Sequence, residues 1–136
     1  MSDSLLAVTY DRRIPTTERL LIINADDCGL AAGITQSVLD LGRLGAISST
    51  SVLLNLPDSD VALAAVQHAG LAVGVHLNVT LGSPLSATAT VGSLLGAGGR
   101  FLPTARAVAW RLLRGGLSLA EVEREWTAQI ERCLAS

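Results

Sequence analysis

Two adjacent carboxylates follow a short apolar run near the start of the chain. Asp26 and Asp27 come after Leu20–Asn24, which has the pattern of a strand buried on both faces, and Gly29 follows them. Neighbouring carboxylates repel each other unless a cation, a proton or water relieves the pair. At the mouth of a buried strand, such a pair is a candidate site for a metal ion and a general base. The alternative is that one aspartate caps the next helix and the other faces solvent.

A histidine farther along the chain favours the metal hypothesis. His76 lies near the end of a second strand-like run, Leu71–Leu77. A carboxylate and an imidazole can begin a site for zinc or a similar divalent ion that keeps open positions. The other aspartate is then free to take a proton from water. Considered alone, His76 has the simpler interpretation of a buried strand histidine bonded to a backbone carbonyl.

Alternating strands and helices are expected to bring these side chains together. The apolar runs predict strands at Leu20–Asn24, Ser51–Leu54 and Leu71–Leu77. Helical patterns lie between them, from about Ile34 to Leu44 and from Asp58 or Ser59 to about Ala69. This order is typical of parallel βαβ units and therefore of an α/β fold. Functional groups of such folds gather at the carboxyl ends of the strands.

The second half of the chain is predicted to hold a long loop and two helices. Residues 78–103 are rich in glycine, serine, threonine and alanine, which predicts a mobile loop or lid. A helix is expected at Arg106–Leu113. A capping-box pattern at Ser118–Glu121 predicts the start of a last helix that runs to about Leu134.

Several single residues receive structural interpretations. Trp126 lies on the apolar stripe of the last helix and is predicted to anchor the core, whereas Cys28 is predicted to be a small buried residue. A local set of basic residues is interpreted as a solvated helix face, with an anionic partner as the alternative: Arg100, Arg106, Arg111 and Arg114.

Composition limits the class of protein. The 136 residues suffice for one domain, which we divide into an N-terminal arm at 1–18 and a folded part at 19–136. A formal net charge of −2 gives no general case for nucleic-acid binding. No apolar run approaches the roughly 20 residues of a membrane span. Cys28 and Cys133 have no partner pattern and are interpreted as reduced thiols, which predicts a cytoplasmic location.

Three segments together resemble a known family. Leu21–Gly29, Ala46–Pro57 and Val73–Thr80 are similar, in order and spacing, to motifs of the YdjC-like (ChbG/HpnK) carbohydrate deacetylases. The resemblance covers roughly residues 19 to 134. It implies a (β/α) barrel-like parallel sheet, a divalent metal ion (Zn or Mg) and the removal of acetyl groups from N-acetylated sugars. It also implies a homodimer.

The same resemblance implies roles for five residues. Asp26 resembles the catalytic base of the family, and Asp27 and His76 resemble two of its metal ligands. Asn55 and Asn78 are expected near the same pocket, as weaker candidates for substrate binding.

The chain also departs from the family pattern. Cys28 stands where the family has an aromatic residue, and the third metal ligand of the family lies in a His-rich motif beyond Ser136. A full barrel needs about 250 residues, so the chain resembles the N-terminal half of such an enzyme. We therefore expect a truncated deacetylase or a half-barrel that dimerises to close its sheet. The alternative function is a non-catalytic half-domain that binds a sugar or a partner without turnover.

Overall fold

The structure, a computed structural model, describes residues 19–136, so the arm predicted at residues 1–18 lies outside the described residues. The strands are β1 (Asn24–Cys28), β2 (Ser49–Val52) and β3 (Ala72–Val75). The α-helices are α1 (Ala32–Arg43), α2 (Ser59–His68), α3 (Ala105–Leu113) and α4 (Leu119–Leu134). The alternation of strands and helices that the sequence predicts is confirmed. Across residues 19–136 we find no helix that is both long and apolar enough to cross a membrane.

The three strands form one parallel sheet in the order β1-β2-β3. Ser49 pairs with both Asn24 and Ala72, so the three strands share one register at their amino ends. Because all of them run the same way, their carboxyl ends meet at one edge of the sheet. The register slips once: between the pairs Ala25–Thr50 and Cys28–Val52, β1 advances three residues while β2 advances two. This bulge contains Asp26 and Asp27.

One face of the sheet carries the core. Helices α1 and α2 pack against the strands and against each other. The core is aliphatic, as the low aromatic content of the chain requires, and Cys28 is fully buried in it as predicted. Its buried members are Cys28, Val38, Val52, Leu54, Ala62, Leu63 and Val66.

The opposite face of the sheet is polar and open. Side chains alternate between the faces of a strand, so Asn24 and Asp26 share a face with Ser49, Ser51 and Gly74 across the sheet. Asn24 and Asp26 are exposed there, and the two serines are half-buried. The functional groups therefore lie on the face that the helices do not cover.

The prediction of a buried first strand at Leu20–Asn24 is wrong. Strand β1 begins at Asn24, and the four apolar residues before it are 47–80% exposed. Only Ile23 approaches the sheet, where its carbonyl accepts the Ser48 N–H at 2.9 Å. The reason is that β1 is an edge strand among the described residues, with no strand on its outer side. An apolar run identifies a strand buried on both faces only where other elements cover it. The bounds of β2 and β3 also differ by about two residues from those predicted.

The segment after β3 is more structured than its composition predicts. It forms three 3₁₀ turns, at Thr88–Thr90, Gly92–Leu94 and Ala97–Gly99. A second apolar cluster holds this segment against the start of α4, because Val91, Leu94 and Phe101 are buried beside it. The expectation of a loop without elements is therefore wrong, because buried apolar side chains among the glycines help to anchor the segment.

The arginines of this region do not share one environment. Arg111 is half-buried, and its Nη1 donates hydrogen bonds to the carbonyls of Ser93 at 3.1 Å and Leu95 at 2.6 Å. Arg114 lies over the ring of Trp110, 4.5 Å from its centroid. The interpretation as a solvated helix face fails for Arg111, which satisfies loop carbonyls that would otherwise lack donors.

Helix α4 begins where the sequence predicts, but by a different mechanism. Ser118 makes no side-chain cap, and Glu121 accepts a hydrogen bond from the Ser93 N–H at 2.7 Å instead. Trp126 is 38% exposed, so its predicted place in the core is wrong. The buried residues of the helix are Glu125 and Gln129, because α4 turns this polar pair toward the chain that leaves β3.

These burial patterns predict a contrast in stability. Leu54→Ala leaves a cavity in a closed core and should lower the free energy of unfolding by about 2–5 kcal/mol. Trp126→Ala removes a larger side chain from a partly solvated place and should cost less. Urea unfolding of both variants measures the difference. A larger loss for Trp126→Ala would show that this tryptophan is a core residue after all.

Candidate metal and catalytic site

The bulge in β1 brings Asp27 to His76. Asp27 has a φ of +64° and is alone among the described non-glycine residues in having a positive φ. Aspartate tolerates this left-handed conformation better than most residues. The Asp27 carboxylate Oδ1 lies 3.3 Å from His76 Nδ1, and the Asp27 backbone N–H lies 3.3 Å from the same nitrogen. Two candidate residues that are far apart in the sequence are therefore neighbours.

The contact with Asp27 depends on the protonation of His76. Neutral imidazole with its proton on Nε2 accepts the Asp27 N–H at Nδ1, whereas an imidazole protonated at Nδ1 donates to the carboxylate. In the first state the lone pair of Nδ1 accepts the Asp27 N–H, so a metal ion bound at Nδ1 would replace that hydrogen bond. The side chain of His76 is 33% exposed and that of Asp27 is 53% exposed, so solvent reaches both.

The sheet itself fixes the main chain of His76. This residue follows β3 directly, and its N–H donates to the Val52 carbonyl at 2.9 Å. That bond extends the ladder between β2 and β3 by one residue. The expectation that His76 lies at the carboxyl end of the third strand is confirmed.

Asp26 is oriented by a residue that the sequence analysis missed. Asn24 Nδ2 donates to Asp26 Oδ1 at 3.0 Å and to Ser51 Oγ at 3.0 Å, and Asn24 Oδ1 accepts from Ser49 Oγ at 2.8 Å. The signal was present, because residues two apart in a strand share a face. Asn24 thus ties the Asp26 carboxylate to β2 on the open face of the sheet.

Asn55 and Asn78 form a buried pair behind the site. Asn78 Nδ2 donates to Asn55 Oδ1 at 2.9 Å, and Asn55 Nδ2 donates to the carbonyls of Leu81 at 2.7 Å and Ser83 at 3.0 Å. Both side chains are at least nine-tenths buried. Their amides thus hold the chain that leaves β3, and direct contact of either one with a substrate stays a prediction.

A small cavity lies at the same edge of the sheet. Its volume is about 250 Å³, and it opens between the chain segments that leave β1 and β2 and the segment after β3. Arg100 contributes the one basic side chain of its lining. The other lining residues are Gly29, Leu30, Leu56, Pro57, Asp58, Leu81 and Gly82.

The spacing of Asp27 and His76 suits two ligands of one metal ion. Ligand bonds of about 2.0–2.1 Å in a tetrahedral zinc site place neighbouring donor atoms about 3.3–3.4 Å apart. The observed separation of Asp27 Oδ1 and His76 Nδ1 is 3.3 Å. Within residues 19–136, no group of three or more His, Cys, Asp or Glu side chains is placed to hold a metal ion. The described residues therefore bring together two candidate ligands, Asp27 and His76.

Comparison with known proteins agrees with the motifs. A family model described as "YdjC-like protein" matches residues 20–136. A carbohydrate deacetylase of Halalkalibacterium halodurans is 38% identical over 113 residues, covering 82% of this chain and 46% of that protein. A chitooligosaccharide deacetylase of Yersinia pestis is 37% identical over 117 residues, covering 85% of this chain and 44% of that protein. The chain thus spans less than half the length of these relatives.

A solved structure shares the fold. It is the crystal structure of a candidate cellobiose-phosphate cleavage protein from Enterococcus faecalis V583, with a TM-score of 0.72 and 31% sequence identity. The match covers 84% of this chain and 43% of that protein. The three-stranded parallel sheet with its helices therefore corresponds to less than half of that solved chain.

The left-handed backbone of Asp27 predicts an unusual order of stabilities. Alanine is sterically disfavoured at positive φ, whereas glycine is not. The Asp27→Gly variant should therefore be more stable than Asp27→Ala by about 1 kcal/mol. Asp26 is the matched control, since it lies in the same bulge without a positive φ, and there alanine should be at least as stable as glycine. Chemical denaturation of the four variants gives both differences. The same order at the two positions would contradict the left-handed assignment.

Proposed function

Because the chain belongs to the YdjC-like protein family, we propose that it carries the catalytic base and two metal ligands of a carbohydrate deacetylase. In this proposal Asp26 is the base, Asp27 and His76 hold a divalent cation, and the substrate is an N-acetylated sugar. The observation that carries the proposal is the 3.3 Å contact between the Asp27 carboxylate and His76 Nδ1. The names of the relatives support the substrate class.

Deacetylation is the hydrolysis of an amide. Water adds to the acetamide carbonyl, the C–N bond breaks, and acetate and a free amine leave. A divalent cation, when bound, polarises the carbonyl and makes water more acidic. Asp26 takes the proton of the attacking water and returns it to the leaving nitrogen. Asn24 holds one oxygen of Asp26 at 3.0 Å, so the orientation of the carboxylate is set before a substrate arrives.

The donor types of Asp27 and His76 support zinc over magnesium, because imidazole nitrogen is a better ligand for zinc than for magnesium.

We propose further that the sheet is the first part of a (β/α) barrel-like sheet. Its polar face, with Asn24, Asp26 and Ser51, is open, as the inner wall of an unclosed barrel would be. The exposed apolar run Leu20–Ile23 lies at the start of edge strand β1, where more strands or a second copy of the chain would cover it. The relatives are about twice as long as the matched region, which supports a larger sheet in those proteins than the three strands described here.

A second candidate is sugar binding without turnover. The observation that favours it is that residues 19–136 contain no group of three or more His, Cys, Asp or Glu side chains placed to hold a metal ion. An N-acetylated sugar could occupy the open face and the cavity beside Arg100 without being hydrolysed. The two candidates differ in whether acetate is released.

Metal binding is tested first by titration calorimetry of the chain with Zn²⁺ and Mg²⁺. We expect saturable zinc binding that Asp27→Asn weakens strongly. Asparagine also tolerates a positive φ, so this variant removes the charge and leaves the backbone unstrained. Asp26→Asn is the matched control and should bind zinc nearly as well as the unchanged chain. Equal loss in the two variants would show that the division of roles is wrong.

Catalysis is tested by measuring acetate release from an N-acetylated chito-oligosaccharide in the presence of zinc. Asp26→Asn should lower the rate about 10²–10⁴-fold, the usual contribution of a general base. A chain that binds zinc and the sugar but releases no acetate would support the second candidate. An Asp26→Asn variant with full activity would exclude Asp26 as the base.

A further inference from the structure

Helix α4 buries two polar side chains whose place the proposed reaction does not explain. Glu125 and Gln129 lie one turn apart and are both fully buried, whereas the apolar Trp126 and Ile130 beside them are 38% and 40% exposed. Burying a polar side chain is unfavourable unless hydrogen bonds compensate it. The orientation of α4 is therefore set by what these two side chains bind.

Gln129 binds both backbone groups of one residue. Its Oε1 accepts the Asn78 N–H at 2.9 Å, and its Nε2 donates to the Asn78 carbonyl at 2.7 Å. A neighbouring strand would bond to the N–H and the carbonyl of one residue in the same way. The side-chain amide of Gln129 therefore replaces the next ladder bond beyond the end of β3. Asn78 is two residues after His76, so Gln129 fixes the chain just beyond that histidine.

Glu125 fixes Gln129 and the next part of the loop together. Its Oε1 accepts from Gln129 Nε2 at 2.9 Å and from the Leu85 N–H at 3.0 Å, and its Oε2 accepts from the Ser86 N–H at 2.9 Å. The carboxylate thus has three donors in a place without solvent. Hydrogen bonds to a charged acceptor are stronger than neutral ones.

These contacts fix the chain that follows His76, whereas the sheet fixes the chain that precedes it. Before His76, the ladder to β2 fixes the strand, and the His76 N–H itself donates to the Val52 carbonyl. After His76, the chain is fixed by Gln129 through Asn78 and by the buried pair of Asn78 and Asn55. Leu77, between the two anchors, is exposed and provides little packing.

We propose that Gln129 and Glu125 are positioning residues that hold His76 at the distance from Asp27 at which both can ligate one ion. The inference rests on the proposed metal function, but its central claim concerns the metal-free chain. Loss of the bonds to Asn78 should loosen the chain after β3 and weaken the contact between Asp27 and His76 Nδ1.

The chain contains two histidines, which permits an internal control. His68 is exposed and ends α2, whose carboxyl end lies at the opposite edge of the sheet from His76 because crossover helices run against their strands. We would record the imidazole nitrogen resonances of the ¹⁵N-labelled, metal-free chain at one fixed pH and assign them with His68→Gln. Resonances of His76 report the contact with Asp27, and those of His68 report any general change.

Gln129→Met keeps the length of the side chain and removes both bonds to Asn78. We expect the His76 resonances to shift, those of His68 to stay unchanged, and zinc binding to weaken about tenfold. Glu125→Gln should cause a smaller shift in the same direction, since an amide can keep the bonds at Oε1 and loses the one from Ser86. The matched control is Glu123→Gln on the exposed side of the same helix, which should change neither histidine.

The outcomes separate this inference from the function on which it rests. A folded Gln129→Met with unchanged His76 resonances, or with equal shifts at both histidines, would overturn the positioning role. If Gln129→Met does not fold, Glu125→Gln decides by the same criterion. A shift confined to His76 in a chain that never binds zinc would uphold the positioning role and refute the expectation that Asp27 and His76 bind zinc in this chain alone.

Discussion

One extra residue in β1 is the constraint on which the site depends. In a regular strand, adjacent residues point to opposite faces, so Asp26 and Asp27 could not both serve one site. The bulge and the positive φ of Asp27 remove that restriction. Asp26 keeps its place on the open face beside Asn24, while Asp27 turns to His76. Local bulges next to active sites commonly redirect a side chain in this way.

Two sets of hydrogen bonds hold Asp26 and the chain after His76 in place. Asn24 ties Asp26 to the side chains of β2, and Gln129 with Glu125 ties the chain after His76 to α4. The aliphatic core lies on the other face of the sheet and contributes no polar group to the site. The result is a rigid scaffold beneath side chains that remain open to solvent, as is common at catalytic sites.

The sequence predicts the order of the elements and the meeting of Asp27 and His76, because both follow from alternation and from the shared direction of parallel strands. It does not predict that Leu20–Ile23 is exposed, since an apolar run carries no information about whether other elements cover it. The prediction that Trp126 lies in the core is wrong for a related reason. Hydrophobic periodicity assigns the buried face of α4 to its apolar stripe, whereas the hydrogen bonds that Glu125 accepts and those that Gln129 accepts and donates determine the actual orientation.

The bulge in β1 also has a consequence for how such a chain can change over evolutionary time. Deletion of a single residue between Ala25 and Cys28 would restore regular pairing with β2. The side chains of β1, including the remaining aspartate, would then alternate strictly between the two faces of the sheet. A change of length in this strand therefore removes the arrangement of both aspartates at once. Insertions and deletions among homologous chains should accumulate in the glycine-rich segment after β3 and be absent from these four positions.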